Sequence, residues 1–289
     1  MKTYILGSGL VAFLAHYLRP DWDIIPVGKS RYYKLQIPPC DDYILYHKDI
    51  EEPLKKLGSK TPIYFKRAFS YNGQIIYNLN SPFITEWKTK AKYKRNLPDI
   101  NFSFDITGQQ ILSKIEQQCL QSFTDFLQRE EKIKNIDTTQ KIINTTHRQL
   151  DYDQIISTVP LNYLYDLCGI RHELKSTDLY SYFIETDQLD FEGATELLVV
   201  DELIPFYKCT ALGKNIYRFM SLEEINDPNP LFKLFIKRFN LIGFIKLNRA
   251  IPDGGDIQTI NDIKPIGDSA KWMAHGNIFE DMLDILHVN

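Results

Sequence analysis

Apolar and polar positions fall into short blocks along this chain, and each block has its own period. Thr3-Tyr4-Ile5-Leu6 reads as a short buried strand that breaks at Gly7-Ser8-Gly9. Leu10 to Leu18 follows as an almost unbroken apolar segment and predicts a helix, stopped by Arg19-Pro20-Asp21. Asp23-Ile24-Ile25-Pro26-Val27 predicts a second strand, completing a strand–helix–strand unit. From about residue 60 to 110 strand signals dominate: Pro62 to Phe65, Gln74 to Tyr77 and the run Phe83 to Tyr93. Asn72-Gly73 between the first two is a hairpin signal, and Asn80-Ser81-Pro82 is a turn. Ile111, Leu112, Ile115, Leu120, Phe123, Phe126 and Leu127 then recur at helical spacing between Gly108 and Glu130. Lys132 to Ile156 predicts a β-meander. Tyr180 to Ile184, Glu196 to Val200 and Asn215 to Met220 predict further strands, and a helix rich in Phe and Leu is expected after Asp227-Pro228-Asn229-Pro230. The pattern implies an α/β fold of two interleaved parts, one Rossmann-like and one mostly β.

The first block also carries chemistry. Gly7-x-Gly9-x-x-Ala12 is the dinucleotide-binding spacing, with alanine in the permitted third position. Gly7 allows the tight turn, Gly9 lets a pyrophosphate approach the backbone, and Ala12 keeps the helix close to the strand. The backbone of Gly7, Ser8, Gly9, Leu10, Val11 and Ala12 would then surround the pyrophosphate at the positive end of the helix dipole. Such sites commonly carry an acid after the second strand to hold a ribose hydroxyl. This chain has Gly28-Lys29-Ser30-Arg31 there, so the ribose falls to Ser30 or a backbone group around Gly28 and Lys29. Lys29 and Arg31 suit a 2′-phosphate, which keeps NADP open beside FAD.

Composition narrows the rest. With 289 residues, 34 basic and 37 acidic, the chain can bury a sizeable core and carries no overall field that demands nucleic acid or membrane. Cys40, Cys119, Cys168 and Cys209 are far apart without CxxC spacing, which fits buried thiols in a reducing cytoplasm, and a cytoplasmic location is expected. No histidine pattern of a metal site is present.

Three separated segments together resemble one family. They are the N-terminal glycine fingerprint; Lys132 to Ile136 followed by Tyr152 to Leu161, with its Thr158-Val159-Pro160 turn; and Ile263 to Trp272 followed by Gly276-Asn277-Ile278-Phe279. Their order and spacing resemble the FAD-dependent amine oxidase and UDP-galactopyranose mutase superfamily, with a shortened substrate part. The resemblance implies an FAD domain from residues 1–60, 108–175 and 250–289, and a substrate domain from 61–107 and 176–249. It implies that Asp268 after Gly267 bonds the ribityl or pyrophosphate side, and that N–H groups near Gly276 and Asn277 face the flavin pyrimidine. It also implies an oxidoreductase acting on a C–N or similar bond of a small or nucleotide-linked substrate. A reduced-flavin mutase and a non-catalytic scaffold are the alternatives. Ile204 to Lys208 resembles a strand lining the family's substrate pocket, which makes Tyr207 and Lys208 candidates for orienting substrate. His275 lies near the expected ring, and Trp272 is a candidate shield. Asp268 also suits a helix N-cap, and Tyr207 plain strand packing.

One stretch points elsewhere. Read as a strand, Trp87 to Arg95 places Lys88, Lys90, Lys92 and Lys94 on one face. That stripe would either protect a sheet edge or follow the phosphates of a nucleotide or nucleic acid.

Overall fold

The computed structural model describes residues 1–7, 9–27, 43–45, 48–64, 66–77, 82–92, 102–107, 132–174, 176–191, 193–213, 215–233, 236–250, 257–267, 270–271 and 278–287. The first elements are β1 (Thr3–Leu6), α1 (Leu10–Leu18), β2 (Asp23–Ile25), β3 (Tyr43–Leu45) and α2 (Lys48–Lys56). After them come β4 (Pro62–Tyr64), β5 (Arg67–Tyr71), β6 (Gln74–Ile76), α3 (Phe83–Lys90) and β7 (Phe102–Thr107). The middle holds β8 (Ile133–Asp137), β9 (Ile142–Thr145), β10 (Gln149–Asp151), β11 (Gln154–Ser157) and α4 (Leu161–Leu167). The remainder is β12 (Ser176–Glu185), β13 (Glu196–Val199), β14 (Phe206–Gly213), β15 (Ile216–Ser221), α5 (Asn229–Lys233), β16 (Asn240–Ala250), β17 (Ile263–Pro265) and α6 (Ile278–Leu286).

Alternation along β1 decides the layering. Ile5, with Ile24 and Ile156, packs against Phe13 and Leu14 of α1, Ile50 and Leu54 of α2, and Met282 and Ile285 of α6. Leu6, with Ile25, Ile155 and Ile263, faces the opposite way, onto Ile136 and Ile143 of the meander and Leu161, Leu164 and Tyr165 of α4. The strands between these layers form a parallel sheet of order β17-β11-β1-β2. Both faces are covered, as a parallel sheet requires. The meander forms its own antiparallel sheet, β10-β9-β8, and β3-β7-β4 make a third. The fourth sheet has seven strands in the order β16-β12-β15-β14-β13-β5-β6. One of its faces is an apolar layer with Tyr182, Phe206, Phe219 and Phe232 of α5; the other meets α3 through Phe69, Leu198 and Met220.

The expected β1–α1–β2 unit, the meander and the strands of the 176–222 region are all present. The Asn-Gly hairpin forms between β5 and β6, where Tyr71 pairs with Gln74 and both loop residues have positive φ, 50° at Asn72 and 74° at Gly73. The helix expected between Gly108 and Glu130 lies outside the described residues.

The lysine stripe is a correction. Phe83 to Lys90 is a helix, so Lys88, Lys90 and Lys92 do not share a strand face, and Lys94 lies outside the described residues. Four-residue spacing wins over the alternation: Phe83, Trp87 and Ala91 turn toward the seven-stranded sheet, with Trp87 and Ala91 fully buried. Trp87 Nε1 donates to the Tyr207 carbonyl at 2.6 Å. Lys90 bends back onto the protein and donates to the carbonyls of Asp201 at 2.5 Å and Ile204 at 2.6 Å. The reading of this run as a protected edge strand falls with the strand.

Burial pushes the Lys90 ammonium down to about 8, against the pull of Asp201 and Glu202. The neutral amine still has two N–H groups for the two carbonyls. A lysine whose folded pKa lies below its ordinary 10.5 binds fewer protons folded than unfolded between those values. The cost of burying its charge is present below about pH 8 and vanishes as pH rises toward 10.5. Urea denaturation is therefore expected to show stability gained over that range in the wild type relative to Lys90→Met. Parallel pH profiles would remove the assignment.

Candidate functional site

The three sequence motifs meet just past the C-terminal ends of β1, β11 and β17 in the parallel sheet. Gly7 leaves β1 with φ of 145°, a conformation open to glycine, and its N–H donates to the Ile25 carbonyl at 3.1 Å. Thr158, just past β11, closes the other side: its N–H and its hydroxyl both donate to the Leu6 carbonyl, at 2.9 and 3.0 Å. A Cβ on Gly7 would sit 1.9 Å from Thr158 Oγ1 and 3.4 Å from the Ala12 Cβ. The turn thus has room for hydrogen alone, and fully buried Ala12 keeps α1 against it.

Gly9 is the N-cap of α1 and has ordinary extended backbone, φ −98° and ψ 178°; its carbonyl takes the Phe13 N–H at 3.2 Å. Among the described residues no side chain caps the start of this helix. The first N–H groups of a helix lack intrahelical acceptors and carry the positive end of its dipole, so this terminus can receive an anion.

The third motif reaches the same place through Gly267. The Ile266 N–H donates to the Ser157 carbonyl at 2.8 Å, and Gly267 turns with φ of 98° so that a Cβ would lie 3.5 Å from Val11 Cγ2. A side chain beyond the sheet fixes this turn: Asp281 of α6, 4% exposed, accepts the Gly267 N–H at 2.9 Å. Lys271 closes the loop, its N–H on the Gly267 carbonyl at 2.8 Å and its ammonium 3.1 Å from Asp281 Oδ1, with Asp284 as a second carboxylate partner. Burial pushes the Asp281 carboxyl above its usual range while Lys271 and the Gly267 N–H pull it back. Burial opposes the Lys271 charge, but Asp284 and Asp281 outweigh it and hold that group up.

Of the residues singled out from the sequence, Gly7, Gly9, Leu10, Val11, Ala12 and Gly267 are brought together here. Ser8, Gly28, Lys29, Ser30, Arg31, Asp268, Trp272, His275, Gly276 and Asn277 lie outside the described residues. Tyr207 and Lys208 lie on the seven-stranded sheet. Tyr207 is 1% exposed, its ring 6.5 Å from that of Trp87. Lys208 belongs to a buried polar array: its ammonium meets Glu196 Oε2 at 2.5 Å, and Arg67 Nε meets Glu196 Oε1 at 2.5 Å. In register with Glu196 across β14 and β15 come Thr210 and then Arg218, which donates two hydrogen bonds to Ser181 Oγ, at 3.2 and 3.1 Å, and lies over the Phe183 ring. Thr210 is 1% exposed and its hydroxyl has no hydrogen-bond partner. Cys209, with its side chain toward the opposite apolar layer, is a free thiol pushed well up by burial, and Glu196 adds to the shift.

Asp281, Lys271, Glu196, Arg67 and Arg218 escape a reading of the sequence. None belongs to a local motif, so only strand register and helix docking reveal what each one meets. Among the described residues no group of three His, Cys, Asp or Glu side chains is placed to hold a metal ion, and no helix is long and apolar enough to cross a membrane.

No protein-family model and no curated protein matches this chain. Solved structures do. A reduced UDP-galactopyranose mutase superposes with a TM-score of 0.63 at 9% identity, covering 99% of this chain and 92% of that one. An oxidoreductase from Methanosarcina mazei gives 0.58 at 10% identity over 99% of both chains. The p-nitrophenol 4-monooxygenase from Pseudomonas putida gives 0.58 at 11%, over 99% of this chain and 79% of that one. The fold is the Rossmann-like flavoprotein fold. At such identities the likeness speaks for architecture.

Proposed function

We propose that this chain is an FAD-dependent oxidoreductase of the amine oxidase and UDP-galactopyranose mutase superfamily. The observation that carries the reading is the convergence of Gly7, Gly9, Thr158 and Gly267 on the start of α1. A turn that excludes even a methyl group and a helix start whose N-cap is a glycine together fit a pyrophosphate. In this reading residues 1–60, 108–175 and 250–289 hold the cofactor, and 61–107 with 176–249 hold the substrate. Gly7 to Ala12 surround the pyrophosphate, with Gly28, Lys29 and Ser30 toward the ribose. By the resemblance, Asp268, Gly276 and Asn277 serve the ribityl chain and the pyrimidine.

Bound flavin supplies the hydride or electron chemistry. The chain binds and orients. Lys208 and Arg218 offer N–H donors to an anionic substituent of the substrate, and the Thr210 hydroxyl adds one more hydrogen bond. Tyr207, packed on Trp87, holds the Lys208 strand in place, while His275 and Trp272 keep the roles that the resemblance gives them.

The array of Arg67, Lys208 and Arg218 favours one second reading, a mutase on a nucleotide-linked sugar, whose substrate is polyanionic. The visible absorption spectrum of the purified protein, with identification of the released cofactor, tests the shared premise. A flavin spectrum is expected. Released NADP would move the assignment to the nicotinamide alternative, and a protein that releases no cofactor and stays colourless after incubation with FAD would leave only a scaffold. An oxidase would then turn over without NAD(P)H and release hydrogen peroxide. A mutase would need prior reduction and consume no net oxidant.

A further inference from the structure

The Gly267 turn is tied down from three sides, and two of the ties are backbone and packing contacts within the Rossmann-like layer: Ile266 on β11 and Gly267 against Val11 of α1. The third is different in kind. Asp281 belongs to α6, and its carboxylate is buried where it accepts a backbone N–H from the turn and faces the Lys271 ammonium. Burying a carboxylate is costly unless it is bonded, and here both bonds go to the one turn that approaches the start of α1. α6 also has apolar anchors beside Asp281, since Met282 and Ile285 are fully buried against α1 and α2. A charged side chain is not needed to hold this helix in place, yet one is present and is aimed at the turn.

We infer that Asp281 is a positioning residue that couples occupancy of the nucleotide cleft to the docking of α6. It acts through Gly267: the carboxylate fixes the turn that approaches Val11 at the start of α1. The coupling rests on the cleft holding a dinucleotide. It is reciprocal, so a cofactor that orders the turn must also steady α6, and loosening α6 must weaken the cofactor.

The test uses the full chain and FAD as the probe, with two readouts: FAD affinity by quenching of FAD fluorescence, and amide exchange across residues 278–287 with and without FAD. In the wild type FAD is expected to slow exchange across α6. Asp281→Val should weaken FAD by about tenfold and abolish the exchange response. Asp281→Asn keeps an acceptor for the Gly267 N–H and should keep the response. A merely structural role would lower the thermal stability of Asp281→Val while FAD still slowed exchange in it. Wild-type protein that binds FAD with no change in α6 exchange would overturn the coupling, as would loss of the response in folded Asp281→Asn. If Asp281→Val fails to fold, those two measurements still decide. Wild type that binds no FAD at all would instead overturn the cofactor reading.

Discussion

Gly7→Ala is expected to destabilise the protein by about 3 kcal/mol or more and to abolish FAD binding with it. The new methyl group would lie 1.9 Å from Thr158 Oγ1, and φ of 145° is itself closed to alanine. Thr158 cannot give way cheaply, since its hydroxyl and N–H both hold the Leu6 carbonyl. The informative partner is Gly9→Asp. Gly9 has a backbone conformation that any residue adopts, so the fold should survive. The carboxylate would stand in the pyrophosphate space and repel its charge, so FAD binding should still be lost. Chemical denaturation with FAD titration separates the two. A folded Gly9→Asp protein with full FAD stoichiometry would sink the fingerprint assignment.

Glu196→Ala should cost about 3–5 kcal/mol, the usual penalty for breaking a buried ion pair from one side. Glu196 is 3% exposed, and Arg67 and Lys208 share its two oxygens. Removing it strips two nearly buried cations of their common carboxylate in the middle of a seven-stranded sheet. Glu196→Gln, which keeps one acceptor, should recover part of the loss. Urea midpoints for the two variants check this; equal and small effects would mean that water reaches the array.

Much of the architecture is readable in the sequence because local signals agree there with the tertiary fold. The β1–α1–β2 unit carries its turn glycine, and Asn72-Gly73 carries its own φ preferences. Residues 83–92 show where that agreement ends. Lysines at every second position imitate a strand, while the apolar spacing of Phe83, Trp87 and Ala91, with Pro82 ahead of it, marks the helix that forms. Pattern also overlooked α2, where Ile50, Leu54 and Leu57 sit at helical spacing, and β16, whose partner β12 lies far away in sequence. The site divides in the same way. Gly7, Gly9 and Gly267 are visible because backbone geometry restricts residue type, whereas Asp281 and Glu196 matter only through contacts across the fold.

The order β17-β11-β1-β2 also governs when the cleft comes into being. Leu6 and Thr158, which frame it, are 152 positions apart, and β17 joins only after a further long excursion through the seven-stranded sheet. That sheet contains sequence neighbours, β5 with β6, β13 with β14 and β14 with β15, that can close cheaply on their own. Contacts of high sequence separation are slow to form, because a long loop must be ordered before they repay it. A nascent chain therefore carries β1 and its glycine turn unpartnered on one side until β11 has been made, leaving apolar Ile5 and Leu6 in need of protection during synthesis. The earliest of the three motifs along the chain is thus among the last to acquire its working geometry.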